Sequence, residues 1–262
     1  MSQERILIVE DERIVALDLQ DRLEILGYSV PATAARGQDA IEMALELRPD
    51  LVLMDIRLKG EMDGIETAER IQSRLDVPVI YLTAYADHDT LDRAKVTGPY
   101  GYILKPFEDR ELQTTIEMAL YRHRTDARLR AHATELEQFK RAIEQVPDSI
   151  VVTDAGGNIL YVNPAFEGAT GFSLDEAIGQ HAVVLNCSEE DEGAVGRLRS
   201  AIWQGRPWQG RLTNKKKDGT TYISEGSIAP VHDGEGRISS YVSVQRDVTR
   251  DLEMEKQYRE AL

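Results

Sequence analysis

The chain has 262 residues, 42% hydrophobic and 29% charged, which suits two modest domains with their own cores and excludes disorder throughout. Its formal net charge of −15 excludes a general binder of phosphate backbones or anionic membranes, since Lys+Arg against Asp+Glu count 14 to 24 in residues 1–122, 5 to 4 in 123–146 and 12 to 18 in 147–262. One cysteine, Cys187, excludes an intramolecular disulfide and a Cys-rich metal site and fits a reducing cytoplasm.

The first apolar run, Ile6 to Val9, is too short for a signal peptide or a membrane span, and no other candidate span follows. Amphipathic and apolar stretches then alternate. Ile14 to Leu26 has helical spacing, Tyr28 to Ala32 reads as a strand, and Asp39 to Leu47 as a helix. Leu51 to Met54, Val79 to Leu82 and Tyr102 to Leu104 are further strands, separated by helices over Gly64 to Leu75 and Asp87 to Val96. Continuous apolar strands alternating with helices predict a doubly wound α/β domain with a parallel sheet, whose functional groups gather at the carboxyl ends of the strands.

Glu108 to Val146 lacks strand signals, proline and glycine and predicts one long helix. Leu129, Leu136 and Ile143 repeat every seven residues, with Phe139 and Val146 at the complementary offset, like a short coiled-coil seam. Such a stripe can also pack on its own domain. The charge of Arg122 to Arg130 favours a helical linker over 123–146 that dimerises.

After Pro147 the pattern changes to an α+β domain with an antiparallel sheet. Strands are predicted at Ser149 to Thr153 and Ile159 to Val162, around the Ala155 to Asn158 turn. Helical material follows to Trp203, then strands at Trp208 to Asn214, Thr220 to Pro230 and Arg237 to Thr249, with Asp218-Gly219 and Asp233-Gly234 as hairpin turns. Lys215-Lys216-Lys217 sits beside the first of these turns and reads as a solvated turn rather than a nucleic-acid patch. Arg250 to Leu262 begins another charged helix.

The chemistry concentrates in residues 1–122. Glu10-Asp11 closes the first strand and Asp55 the third, so three carboxylates meet at one sheet edge. Such a cluster repels itself unless a cation sits within it, and hard oxygen ligands suit Mg²⁺. A carboxylate beside Mg²⁺ can attack phosphorus and form an acyl phosphate. Thr83 and Lys105 end the fourth and fifth strands and bring a hydroxyl and an ammonium suited to phosphoryl oxygens.

The segments Ile6 to Asp11, Leu53-Met-Asp55-Ile, Leu82-Thr83-Ala84 and Tyr102-Ile-Leu-Lys105-Pro106-Phe107 resemble the receiver domains of two-component response regulators. The resemblance covers about residues 3–122 and implies a flavodoxin-like five-stranded sheet. It also implies phosphorylation at Asp55 by a cognate sensor histidine kinase. Mg²⁺ would be held by Glu10, Asp11, Asp55 and the backbone carbonyl of Arg57, and the phosphoryl group by Thr83 and Lys105. The family further implies a cis bond before Pro106 and a switch in which Tyr102 follows the Thr83 hydroxyl inward. Gly98-Pro99 departs from the Gly-Ala pair usual there.

Tyr161-Val-Asn163-Pro164-Ala165-Phe166, Thr170-Gly171-Phe172-Ser173, Trp208-Gln-Gly210, Lys217-Asp218-Gly219, Tyr241-Val-Ser243 and Arg246-Asp247-Val248-Thr249 resemble a PAS domain. Its ligand is not implied. A covalent flavin photosensor needs a reactive Cys where Gly179-Gln-His-Ala182 stands, with Cys187 five residues later, and a haem site needs a His absent from Glu189 to Ile202. Neither cofactor is expected, and His181 reads as a surface or capping residue. The resemblance implies that Asp247 and Thr249 connect the sheet to a following signalling helix. The domains expected are a receiver over 1–122, the linker over 123–146, PAS over 147–250 and the start of a signalling helix over 251–262.

Together these readings predict a cytoplasmic, homodimeric phosphoacceptor regulator that is not itself an enzyme and signals to a downstream protein, without direct DNA or membrane binding. Two alternatives stay open. The chain can be the front region of a hybrid histidine kinase, or a small-molecule sensor in which phosphorylation is secondary.

Overall fold

The computed structural model describes residues 3–84, 93–95, 97–182 and 192–260. The described chain separates into two compact units, 1–133 and 134–262. Most of the helix expected over Asp87 to Val96, and Cys187, lie outside the described residues.

The first unit begins with β1 (Arg5–Val9), α1 (Arg13–Ile25), β2 (Ser29–Ala34), α2 (Gly37–Leu47) and β3 (Leu51–Asp55). It continues through α3 (Gly64–Gln72), β4 (Val79–Thr83), β5 (Gly101–Leu104) and the first turns of α4 (Asp109–Glu144). All pairings are parallel, in the order β2-β1-β3-β4-β5. Successive side chains of a strand face opposite ways. Leu7, Val9, Val52, Met54, Val79 and Tyr81 therefore pack with α2 and α3, while Ile6, Ile8, Leu51, Leu53, Ile80 and Leu82 pack with α1 and α4. Burial on both faces is why these strands read as unbroken apolar runs.

The start of α3 folds back onto the end of β3, where the Gly64 amide donates to the Ile56 carbonyl at 2.9 Å. Asp63 is its N-cap, with Oδ1 accepting the Glu66 amide at 2.9 Å. Gly64 must be glycine there, because a Cβ would lie 1.9 Å from the Asp55 carbonyl oxygen. That close approach fixes the loop around Asp55.

The long helix α4 runs unbroken from Asp109 to Glu144. Its early turns bury Leu112, Ile116, Ala119 and Leu120. The charged stretch 122–130 keeps its arginines exposed while running along the first unit: His123 and Arg130 reach Asp76 at 3.0 Å, Arg124 reaches Glu4 at 3.1 Å, and Arg122 sits over the Tyr100 ring. Leu129, Leu136, Phe139 and Ile143 are exposed, Leu136 by 70%. No described helix is long and apolar enough to cross a membrane.

The second unit holds the end of α4 and then β6 (Ser149–Asp154), β7 (Ile159–Val162), α5 (Pro164–Thr170), α6 (Leu174–Ala177) and α7 (Glu192–Trp203). β8 (Trp208–Lys215), β9 (Thr221–His232), β10 (Ile238–Asp247) and α8 (Thr249–Glu260) complete it. The sheet is antiparallel, in the order β7-β6-β10-β9-β8. The β8–β9 turn runs over 216–219 and closes on Asp218-Gly219, with the Gly219 amide donating to the Lys216 carbonyl at 2.9 Å and Gly219 at positive φ. The next hairpin instead turns over 233–236, where the Gly236 amide donates to the Asp233 carbonyl at 3.0 Å and Gly236, not Gly234, takes the positive φ. Asp233 Oδ1 accepts the amides of Glu235 and Arg237, which spreads the turn over four residues.

Asn163, just before α5, is buried with every polar atom used. Its Oδ1 accepts the amides of Ile150 at 2.8 Å and Phe166 at 3.2 Å, and its Nδ2 lies 2.9 Å from the Asp148 carbonyl and 3.3 Å from those of Ile143 and Val146. One side chain thus ties the end of α4 to β6 and α5. At the far end of the sheet, Asp247 Oδ1 accepts the amide and hydroxyl of Thr249, whose Oγ1 accepts the Ile223 amide at 2.9 Å. The lysine run is neutralised locally: Lys217 pairs with Glu176, and Lys216 lies over Tyr222.

Candidate functional site: the carboxyl edge of the parallel sheet

Glu10 and Asp11 follow β1, Asp55 ends β3, Thr83 ends β4 and Lys105 follows β5. Because β1, β3, β4 and β5 are neighbours and parallel, these positions fall together at one edge. Lys105 Nζ stands 2.5 Å from Glu10 Oε2 and 2.6 Å from Asp55 Oδ2. The Lys105 amide donates to the Thr83 carbonyl at 2.8 Å, which pins the lysine to the end of β4. The Lys105–Pro106 peptide is cis. Thr83 is buried beside the cluster.

Backbone amides orient the carboxylates. Asp55 Oδ1 accepts the Arg57 amide at 2.9 Å, and Glu10 Oε1 accepts the Glu12 amide at 3.2 Å. Asp11 is turned toward the exposed Lys59, with Nζ to Oδ2 at 2.9 Å.

One carboxylate oxygen from each of Glu10, Asp11 and Asp55 lies within 4.8 Å of the others. Three carboxylates against the half-buried Lys105 and the exposed Lys59 leave an excess of negative charge in a site where Glu10 is 2% exposed and Asp55 8%. The donor set is oxygen throughout and is open to a hard divalent cation such as Mg²⁺.

Burial pushes the Glu10 carboxyl above its ordinary range. The Lys105 hydrogen bond opposes this and the Asp55 charge adds to it. Burial pulls the Lys105 ammonium down, but hydrogen bonds and charge from Asp55 and Glu10 outweigh it and hold the lysine above its ordinary value. Lys105 is therefore a fixed cation.

Tyr102 faces its cross-strand neighbour Tyr81, with ring centroids 5.9 Å apart. Burial pushes the Tyr81 hydroxyl up to about 12, against a 2.9 Å hydrogen bond with Thr97. The Tyr102 hydroxyl is buried and has no hydrogen-bond partner among the described residues. Burial pushes its pKa up as well. The ring lies against the core formed with α2 and α3.

Sequence reasoning missed three contributors: Lys59, which pairs with Asp11; Asp63, which caps α3 and holds Arg93 at 2.7 Å; and Gly64, which admits the Asp55 carbonyl. Asp63-Gly64 ahead of an amphipathic run carried the helix-start signal. Nothing local marked Lys59, a loop lysine. In the second unit His181 is exposed and forms an isolated bridge with Asn158.

Residues 6–117 match the response regulator receiver domain, and residues 137–248 match the PAS fold. The transcriptional regulatory protein PdtaR of Mycobacterium tuberculosis is 37% identical over 134 residues, 51% of this chain and 65% of that protein. The nitrogen fixation regulatory protein of Klebsiella oxytoca is 33% identical over 121 residues, 46% of this chain and 24% of that protein. The chain thus spans less than two thirds of these relatives' lengths. Among solved structures, the signal receiver domain of a modulated diguanylate cyclase from Desulfovibrio desulfuricans G20 is 40% identical, covering 48% of this chain and 99% of that one at a TM-score of 0.46. A PAS domain from Colwellia psychrerythraea is 31% identical, covering 44% and 98% at a TM-score of 0.40. The chain carries a response regulator receiver domain over 6–117, followed by a PAS domain over 137–248.

Proposed function

We propose that the chain is a phosphorelay regulator in which Asp55 takes a phosphoryl group from a sensor histidine kinase. The observation that carries this reading is Lys105 Nζ within hydrogen-bond distance of both Asp55 and Glu10, with Asp11 completing an oxygen cluster. An Asp55 carboxylate oxygen attacks phosphorus. The phosphorus–nitrogen bond of the donor phosphohistidine breaks, and the imidazole leaves with the bonding pair and takes a proton. The product is an acyl phosphate on Asp55. Lys105 remains cationic throughout and pairs with a phosphoryl oxygen, and the Thr83 hydroxyl donates to another. Mg²⁺, with Glu10, Asp11, Asp55 and the Arg57 carbonyl as its holders, would neutralise charge on the transferred group.

In this reading the chain is a phosphoacceptor rather than an enzyme with its own substrate, and it acts in the cytoplasm. Thr83 and Tyr102 form the switch, α4 transmits it, and the PAS domain delivers it to a downstream protein. The exposed seam of Leu129, Leu136, Phe139 and Ile143 supports a homodimer through residues 123–146. The test is uptake of acid-labile phosphate from a phosphorylated kinase with Mg²⁺. Wild type should take up one equivalent and Asp55→Asn none, and equal labelling of the two would reject Asp55 as acceptor. Light scattering that found a monomer with and without a phosphoryl mimic would reject the dimer.

A further inference from the structure

The carboxyl edge of the parallel sheet holds two ammonium groups, and they are anchored differently. Lys105 Nζ reaches two carboxylates, Glu10 and Asp55, and its side chain is 20% exposed. Lys59 Nζ reaches one, Asp11 Oδ2 at 2.9 Å, and its side chain is 80% exposed. Asp11 is mostly enclosed, so Lys59 reaches in from solvent to pair with it. The phosphoryl chemistry described above gives Lys105 a role and leaves Lys59 without one.

A divalent cation among the oxygens of Glu10, Asp11 and Asp55 draws on the Asp11 carboxylate. Lys59 and the cation therefore compete for one side chain, and at such separations their charges repel. Burial decides which ammonium gives way. Displacing Lys105 would take a half-buried ammonium from two partners and leave its charge uncompensated. Lys59 needs only to swing into water on its flexible four-carbon stem. An exposed ion pair of this kind is weak, so Lys59 can be displaced, but a cation entering the cluster must displace it.

We propose that Lys59 is a positioning residue for Asp11: it holds that carboxylate until a divalent cation displaces it, and so sets the cation concentration at which the cluster fills. The proposal rests on the reading of Glu10, Asp11 and Asp55 as holders of Mg²⁺. Lys59 acts through Asp11 and does not touch Asp55, the phosphoryl acceptor in that reading.

The test is cation binding to the whole chain at fixed low ionic strength, with Mn²⁺ as the probe. Free Mn²⁺ is read by electron paramagnetic resonance, and Mg²⁺ is then added as competitor. Lys59→Gln, at an exposed position, should bind Mn²⁺ about three- to tenfold more tightly than wild type. Lys59→Arg keeps the charge and should stay close to wild type. Arg74→Gln removes one positive charge beyond the far end of α3 and should leave the affinity unchanged. A Lys59→Gln affinity no tighter than wild type would overturn the proposal. So would a gain matched by Lys59→Arg or by Arg74→Gln. If wild type itself showed no saturable Mn²⁺ binding that Mg²⁺ competes for, the metal reading would fail and the proposal with it. Saturable binding to wild type with an unchanged Lys59→Gln would reject the role of Lys59 alone.

Discussion

The receiver edge and the PAS sheet both bury polar side chains almost completely, yet they satisfy them differently. Glu10 and Asp55 are charged, come from strand ends, and share Lys105 between them. Asn214 is neutral, sits within β8, and uses only its amino group. A buried charge without a partner costs several kcal/mol, whereas an unmade neutral hydrogen bond costs about 1–3. The charged cluster must therefore be compensated within the protein or by a cation, while the neutral position tolerates an open acceptor. One site gathers charge, and the other leaves a neutral acceptor unpaired.

The largest test of that contrast is Lys105→Met. Removing the cation leaves Glu10 and Asp55 facing each other, and urea denaturation should show a loss of about 3–5 kcal/mol. Millimolar Mg²⁺ should recover part of it, because a ligand that binds only the folded state stabilises it. A variant as stable as wild type without Mg²⁺ would mean that the carboxylates are not dependent on Lys105. Next comes Asn163→Leu, which orphans the Ile150 amide, leaves the Phe166 amide with only the residue 163 carbonyl, and frees three carbonyls between the end of α4 and β6. The expected cost is about 3 kcal/mol. Asn214→Leu is the matched change at an equally buried asparagine, and it should fall within about 1 kcal/mol of wild type because it also removes an unpaired acceptor. Similar losses for the two asparagines would break the distinction between a fully bonded amide and a half-used one.

The receiver site was legible because its chemistry lies at the ends of continuous apolar strands, and parallel neighbours bring strand ends together whatever the loops do. Glu10, Asp11, Asp55, Thr83 and Lys105 could be placed on that rule. What the loops contribute could not. The Lys59–Asp11 pair depends on where a surface side chain swings, and the need for Gly64 depends on a backbone approach of α3 to β3. The Asp233-Gly234 pair looked like a tight hairpin, but Asp233 bonds across to Glu235 and Arg237 and moves the positive φ to Gly236. Helical periodicity identified α4 as one long element. It could not say that residues 122–130 lie against the first unit, because charges that would meet solvent on an isolated helix meet Asp76 and Glu4 instead. The PAS sheet's buried amide was least legible. Asn214 read as one more strand residue, and its half-used amide exists only through cross-strand geometry with Ser224 and Gln245.

The exposed contacts of α4 give the smallest effect and sharpen the contrast from the surface side. His123 and Arg130 both reach Asp76, and the His123 hydrogen bond, more than the nearby Arg130 charge, holds the Asp76 carboxyl below its ordinary value of 3.8 while partial burial opposes the shift. A folded-state pKa below the unfolded one means that ionised Asp76 stabilises the fold at pH above the unfolded value. That contribution is lost as pH falls through the lower, folded-state value. Asp76→Asn should therefore lower stability at pH 7, and the gap to wild type should close only below pH 3.8. With both Asp76 and Arg130 well exposed, the gap should stay under about 1 kcal/mol and shrink with added salt. Thermal unfolding of the two proteins from pH 7 downward measures it. A gap that closed between pH 7 and 5 would reject the Asp76 carboxylate as its source, because the carboxylate stays ionised throughout that window.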